Sequence, residues 1–227
     1  LAVVEAKRTS HDPIEGKQQA KDYADALEKK HGQRPLIYYT NGYKTYLWDD
    51  RFYPPRPVAG FMKQDEMELA IQRRETRGEL KQYPVNKDIV ERPYQLLAIK
   101  KICEHFEEHH RRALVVMATG TGKTRTAIAL VELMQKANWA KRVLYLCDRD
   151  SLIVQTKRAF TKFLPNTPAG DLRTKRVDTK ERVCLSTYAT MMNLIDEVED
   201  GVRPFSPSYF DLIIIDEAHR SIYQKYQ

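Results

Sequence analysis

The sequence predicts an α/β protein built in two blocks, on three observations. From Arg92 onward, stretches of helical periodicity alternate with short apolar runs, the pattern of a parallel sheet wrapped by helices. One run, Ala113-Leu114-Val115-Val116-Met117, leads into the glycine-rich loop Ala118-Thr119-Gly120-Thr121-Gly122-Lys123-Thr124, and a later one, Leu212-Ile213-Ile214-Ile215, ends in Asp216-Glu217-Ala218-His219. Ahead of that block, a helix and an Asn-Gly hairpin form a separate α/β stretch.

Taken in order, Leu1 to Lys7 is a β-rich run closing in charge, with no start signal before it, so the chain is expected to be part of something longer. Asp12-Pro13 offers an N-cap and a first-turn proline for a helix over 14–30, which His31-Gly32 stops. The runs 36–40 and 43–48 flank Asn41-Gly42, a strong short-range hairpin signal. Three prolines between Asp49 and Gly60 break the periodicity, so the first block is expected to end near residue 55. Residues 56–91 read as a linker carrying one helix, Asp65 to Arg77, with Met67, Ala70 and Ile71 on one face. The second block, 92–227, then reads as a helix to about His110, strand 113–117, helix 124–137, strand 142–147, helix 151–163, strand 183–187, helix to Glu197 and strand 211–216.

With 227 residues, 42% apolar and 30% charged, the chain can bury a core and has ordinary soluble composition. No run approaches the roughly 18 uncharged apolar residues that cross a bilayer. Leu1-Ala2-Val3-Val4 meets Glu5 too soon to be a signal-peptide core. A cytoplasmic location without a membrane partner is expected. Cys103, Cys147 and Cys184 are odd in number and far apart, which argues against a disulfide framework or a clustered zinc site. A net charge of +7, with basic residues recurring at Arg73, Arg74, Arg77, Lys157, Arg158, Lys162, Arg173, Lys175 and Arg176, suits either a polyanionic partner such as nucleic acid or a solvated basic surface.

The two motifs answer the physical problem of handling ATP and Mg2+. In the loop, Gly120 and Gly122 let the backbone fold tightly so that its N–H groups, with Thr119 and Thr121, wrap phosphates. Lys123 is placed to reach the β- and γ-phosphates and Thr124 to ligate magnesium. Met117 stands where the full G-x-x-x-x-G-K-[ST] pattern has its first glycine. Asp216, at the end of an apolar run, is expected to meet the magnesium, Glu217 to orient or deprotonate the attacking water, and His219 to couple or position. Gln95 opens a helix in Arg92-Pro93-Tyr94-Gln95; its amide can serve both edges of adenine, or simply polarise a helix start.

Gln95, the 118–124 loop, Cys147-Asp148-Arg149-Asp150-Ser151-Leu152 with Gln155, Ser186-Thr187-Tyr188 and Asp216–His219 resemble the ordered motifs of a superfamily 2 helicase or translocase across 92–227. The resemblance implies a RecA-like lobe with a DEAH box, in which Arg149, Gln155 and Thr187 touch the nucleic-acid backbone; strand ends and helix caps are the alternative for each. It also implies a second lobe that supplies arginines. None of that lobe's motifs is in the sequence, so weak ATPase activity is expected of the chain alone.

In the first block, Glu5-Ala6-Lys7 resembles the E-x-K half of the PD-(D/E)-x-K nuclease signature, with Glu5 as a metal ligand and Lys7 beside the attacking water. Gln19 and Tyr23, spaced i, i+4, resemble the Q-x-x-x-Y element of RecB-like nucleases. The alternative has Glu5 and Lys7 as an exposed strand end and Tyr23 packed with Ala24 and Leu27. The order of a partial nuclease domain (1–55), a linker (56–91) and one parallel-sheet phosphate-loop domain (92–227) resembles the R subunit of a type I restriction enzyme. That implies ATP-dependent translocation of double-stranded DNA coupled to endonucleolytic cleavage, with modification and specificity subunits as partners. The nuclease's first metal-binding Asp is not in the sequence, so both active sites are expected to be incomplete. A superfamily 2 repair helicase with a non-cutting N-terminal block, or an ATP-gated DNA-binding module without catalysis, fits the same motifs.

Overall fold

The computed structural model describes residues 1–174, 181–198 and 203–218. The chain separates into two compact units, one of residues 1–76 with 206–208 and one of 77–205 with 209–227.

The first unit is a four-stranded sheet with a helix against each face. Strand β1 (Ala2–Ala6) is followed by a single 3-10 turn (Pro13–Gly16), helix α1 (Lys17–His31), strands β2 (Leu36–Thr40), β3 (Thr45–Trp48) and β4 (Arg56–Val58), and helix α2 (Gln64–Thr76). The order is β1-β2-β3-β4; β1 and β2 are parallel and the other pairs antiparallel. Asp12 caps the 3-10 turn by accepting from Ile14 N at 2.9 Å, as the Asp-Pro pair predicts. Because side chains alternate along a strand, β2 serves two cores at once. Ile37 and Tyr39 pack with Ala20 and Ala24 of α1, while Leu36 and Tyr38 pack with Leu47 and Ile71 of α2.

The stretch 56–91, read as a linker from its prolines, is built into both cores. Pro57 lies in β4, at the sheet's edge, where one rim of the strand needs no ladder donor. Ile71 joins the first unit's core, and Leu80, Ile89 and Val90 join the second's. Several expected basic contacts are internal. Arg73 is 5% exposed. Arg74 binds Asp49 at 2.9 Å and the Arg34 carbonyl. Arg34 is itself buried among Asp25, Glu28 and Asp50.

In the second unit, helices α3 (Pro93–Glu107), α4 (Lys123–Lys136), α5 (Asp150–Phe163) and α6 (Tyr188–Asp196) surround strands β5 (Val143–Cys147), β6 (Ala169–Asp171), β7 (Val183–Thr187) and β8 (Leu212–Ile215). All pairings are parallel, in the order β6-β7-β5-β8. Val143, Tyr145 and Cys147 face one core with Ile128, Val131 and Phe160; Leu144 and Leu146 face another with Met191 and Phe205. The continuous apolar runs reflect a sheet covered on both faces. Strand β6, only three residues long, carried no recognisable signal.

One expectation fails. Residues 113–117 form no strand, and Leu114 and Val116 are 85% and 89% exposed. The run has strand composition, but a strand exists only by pairing, and among the described residues β8 is paired on one edge only, by β5. Arg173 is also removed from any anion patch: it binds Asp171 at 2.6 Å and Asp150 at 3.1 Å. Lys175 and Arg176 lie outside the described residues. No helix is long and apolar enough to cross a membrane among the described residues.

Candidate functional site

The second unit gathers its motif residues at the carboxyl end of the sheet, where strand-to-helix turns leave backbone groups available. The loop reaches α4 through two glycines in left-handed backbone, Gly120 at φ +79° and Gly122 at φ +91°. Gly122 is the residue before α4, so the loop's N–H groups and the positive end of a 14-residue helix converge. Thr121 Oγ1 donates to the Ala118 carbonyl at 2.6 Å and tightens the turn. Lys123 Nζ sits 2.7 Å from Glu217 Oε1, so the ammonium is held by an anion, as a phosphate oxygen would hold it. Glu217 itself is left-handed, φ +52°, and its N–H donates to Asp216 Oδ1 at 3.0 Å. His219 lies outside the described residues.

Tyr145 is a residue that sequence reasoning passed over. Its hydroxyl donates to Asp216 Oδ2 at 3.2 Å. It therefore anchors Asp216, one of the residues expected to ligate magnesium, and Thr124 moderates its pKa. Burial, with the Asp216 charge next, raises the Tyr145 pKa well above its ordinary value, so it stays a donor. The only available signal was a polar-tipped aromatic within the apolar run Val143–Cys147. The donor set of one carboxylate and one hydroxyl is all oxygen, as Mg2+ requires.

Gln95 is 3% exposed, and its amide donates to the Thr121 carbonyl at 2.9 Å while accepting from Arg92 N at 3.4 Å. Tyr94 OH donates to the same carbonyl at 3.0 Å. The helix start thus grips the phosphate loop, and an adenine would compete for that amide. Arg149 and Gln155 are exposed at the start and on the surface of α5. Thr187 is buried at the end of β7, where its hydroxyl caps α6 by accepting from Thr190 N at 3.2 Å.

In the first unit, four residues picked from sequence form one hydrogen-bonded chain. Lys7 Nζ lies 2.9 Å from Glu5 Oε1 and donates to Gln19 Oε1 at 2.7 Å, and Gln19 Nε2 donates to Tyr23 OH at 2.8 Å. Parallel pairing of β1 with β2 brings the strand end over the start of α1, and Gly16 admits it: a Cβ there would stand 2.9 Å from Glu5 Cγ. Tyr23 is 46% exposed, so it is not the core residue of the alternative reading. Glu5 supplies one carboxylate, half of what a two-carboxylate metal site needs.

A parallel sheet, a glycine-rich loop before a helix and an acidic pair at a strand end define an α/β protein of the phosphate-loop class. The family model described as "Type III restriction enzyme, res subunit" matches residues 88–227, and the chain belongs to that family. Similar curated proteins are the EcoAI type I restriction enzyme endonuclease subunit of Escherichia coli, 32% identical over 97% of this chain and 28% of its own length, and the EcoKI subunit of E. coli K12, 34% identical over 57% and 11%. The EcoAI likeness runs through both units. The chain spans about a quarter of that relative. Among solved structures, an HsdR fragment of a type I restriction enzyme from Vibrio vulnificus YJ016 is 28% identical with a TM-score of 0.47, covering 96% of this chain and 39% of that one.

Proposed function

We propose that this chain carries the nucleotide-binding lobe and part of the nuclease domain of a type I restriction R subunit, which moves double-stranded DNA with ATP and Mg2+ and cleaves it. The first unit is then the C-terminal part of the endonuclease domain and the second the motor lobe, with 56–91 shared between the two cores rather than serving only as a connection. The observation that carries the reading is the Lys123–Glu217 pair beside Asp216, which Tyr145 anchors, so that a phosphate-binding cation and an oxygen donor stand side by side. Phosphates entering the loop would replace Glu217 on Lys123, freeing that carboxylate to orient water. Thr124 and Asp216 would hold the metal, whose charge would offset that on the transferring phosphoryl group.

In the first unit, Glu5 would hold a metal, and Gln19 would fix the Lys7 ammonium beside it, with Tyr23 holding Gln19 in turn. Arg149, Gln155 and Thr187 would follow the DNA backbone, with sequence recognition left to a specificity subunit. The test uses the enzyme assembled with modification and specificity subunits. Glu5→Ala should abolish cleavage and spare ATPase activity, and Lys123→Ala should abolish both. Loss of ATPase activity in Glu5→Ala would refute the division of roles.

A further inference from the structure

We propose that His105, Glu108 and His110, at the C-terminal end of α3, form a binding site for one transition-metal ion of the zinc class. The chain end of the helix builds it. His109 N donates to Phe106 O at 3.0 Å and His110 N to His105 O at 3.3 Å, the paired bonds of a Schellman cap, with His109 in the left-handed position at φ +65°. That cap folds the residue after the left-handed one back over the residue five earlier. In such caps the two are frequently apolar; here both are imidazoles, stacked at 4.0 Å with planes 11° apart.

Three ligand atoms, one each from His105, Glu108 and His110, lie within 4.8 Å of one another. Zinc binds nitrogen and oxygen donors at about 2.0–2.2 Å, so two ligands of one ion stand at most about 4.2 Å apart, and because an imidazole lone pair lies in its ring plane, closure needs the two rings to turn out of their stack toward a common point. The tautomer is already set. His105 Nε2 lies 3.0 Å from the Arg112 carbonyl, which can only accept, so Nε2 carries the hydrogen and the Nδ1 lone pair is left for a metal. A backbone carbonyl orienting a ligating histidine is the usual outer support of such sites. Two nitrogens and one carboxylate favour Zn2+, Ni2+ or Cu2+ over Mg2+, which separates this site from the oxygen donors near the phosphate loop.

Arg112 directly precedes the exposed run 113–117, so a bound ion would tie the end of α3 to the approach to that loop. Zinc titration of the chain in excess Mg2+, followed by calorimetry, tests the site. Wild type should bind one Zn2+ per chain at this site and gain thermal stability from it. His105→Phe and His110→Phe, which keep the stacked rings, should each weaken binding at least tenfold. His109→Gly, which suits the left-handed position, should bind as wild type. Zinc affinity and stoichiometry unchanged in the double phenylalanine variant, or no binding by folded wild type, would overturn the proposal.

Discussion

Gly122→Ala should destabilise the second unit more than Gly120→Ala, and Gln95→Ala should erase the difference. Both glycines have left-handed backbone, so alanine at either costs about 1–2 kcal/mol. At Gly120 nothing lies within 4 Å of an added Cβ, and the backbone is the whole cost. At Gly122 the Cβ would stand 2.3 Å from Gln95 Nε2. The amide must swing away, giving up Thr121 O and Arg92 N, and each lost bond adds about 0.5–1.5 kcal/mol. The expected totals are about 1–2 kcal/mol for Gly120→Ala and about 2–5 kcal/mol for Gly122→Ala. For a chain of this size each kcal/mol lowers the melting temperature by about 2–4 °C. Fluorescence of Trp139, in a Trp48→Phe background, would follow the second unit's melt without nucleotide. In the Gln95→Ala background Gly122→Ala should cost no more than Gly120→Ala, a coupling read as a double-mutant cycle. Equal losses for the two glycines, or a Gly122→Ala penalty that Gln95→Ala leaves undiminished, would refute the reasoning.

Tyr145→Phe removes a buried donor to a carboxylate and should lower stability by about 1–3 kcal/mol, measurable in the same melt; an unchanged melting temperature would show that the Asp216 contact contributes nothing. Burial pushes the thiols of Cys103 and Cys184 up to about 12 and of Cys147 up to about 11, so all three should resist a thiol reagent at pH 8 until the protein unfolds. Rapid labelling of the native protein would contradict that burial. The Arg173 guanidinium holds the Asp171 pKa below its ordinary value, so this pair stabilises the fold above the unfolded-state aspartate pKa. That contribution is lost as pH falls through the lower folded-state value. Asp171→Asn should therefore flatten the acid limb of a stability-against-pH curve, and an unaltered limb would exclude the pair as a source of acid sensitivity.

The elements with local causes were legible. Asp12-Pro13 begins its turn because an aspartate oxygen reaches an N–H two residues on, and Gly122 marks the entry to α4 because only glycine takes that backbone without strain. The Glu5–Lys7–Gln19–Tyr23 chain was legible in part: i, i+4 spacing puts Gln19 beside Tyr23, whereas Lys7 reaches Gln19 through parallel pairing of β1 with β2. Residues 113–117 show the limit. Their apolar composition states that they can be a strand, but pairing depends on an edge far away in sequence.

By itself, then, the sequence determined the α/β class, the loop and acid pair on which the proposed nucleotide site rests, and the likeness to restriction R subunits that the family match bears out. Only the tertiary structure decided that Gln95 closes on Thr121, that Tyr145 reaches Asp216, that Thr187 caps a helix, and that most of a proline-broken stretch belongs to two cores. The reason is range. Caps, turns and glycine conformations are set within a few residues, while a hydroxyl 71 positions from its carboxylate finds it only when parallel strands β5 and β8 lie side by side.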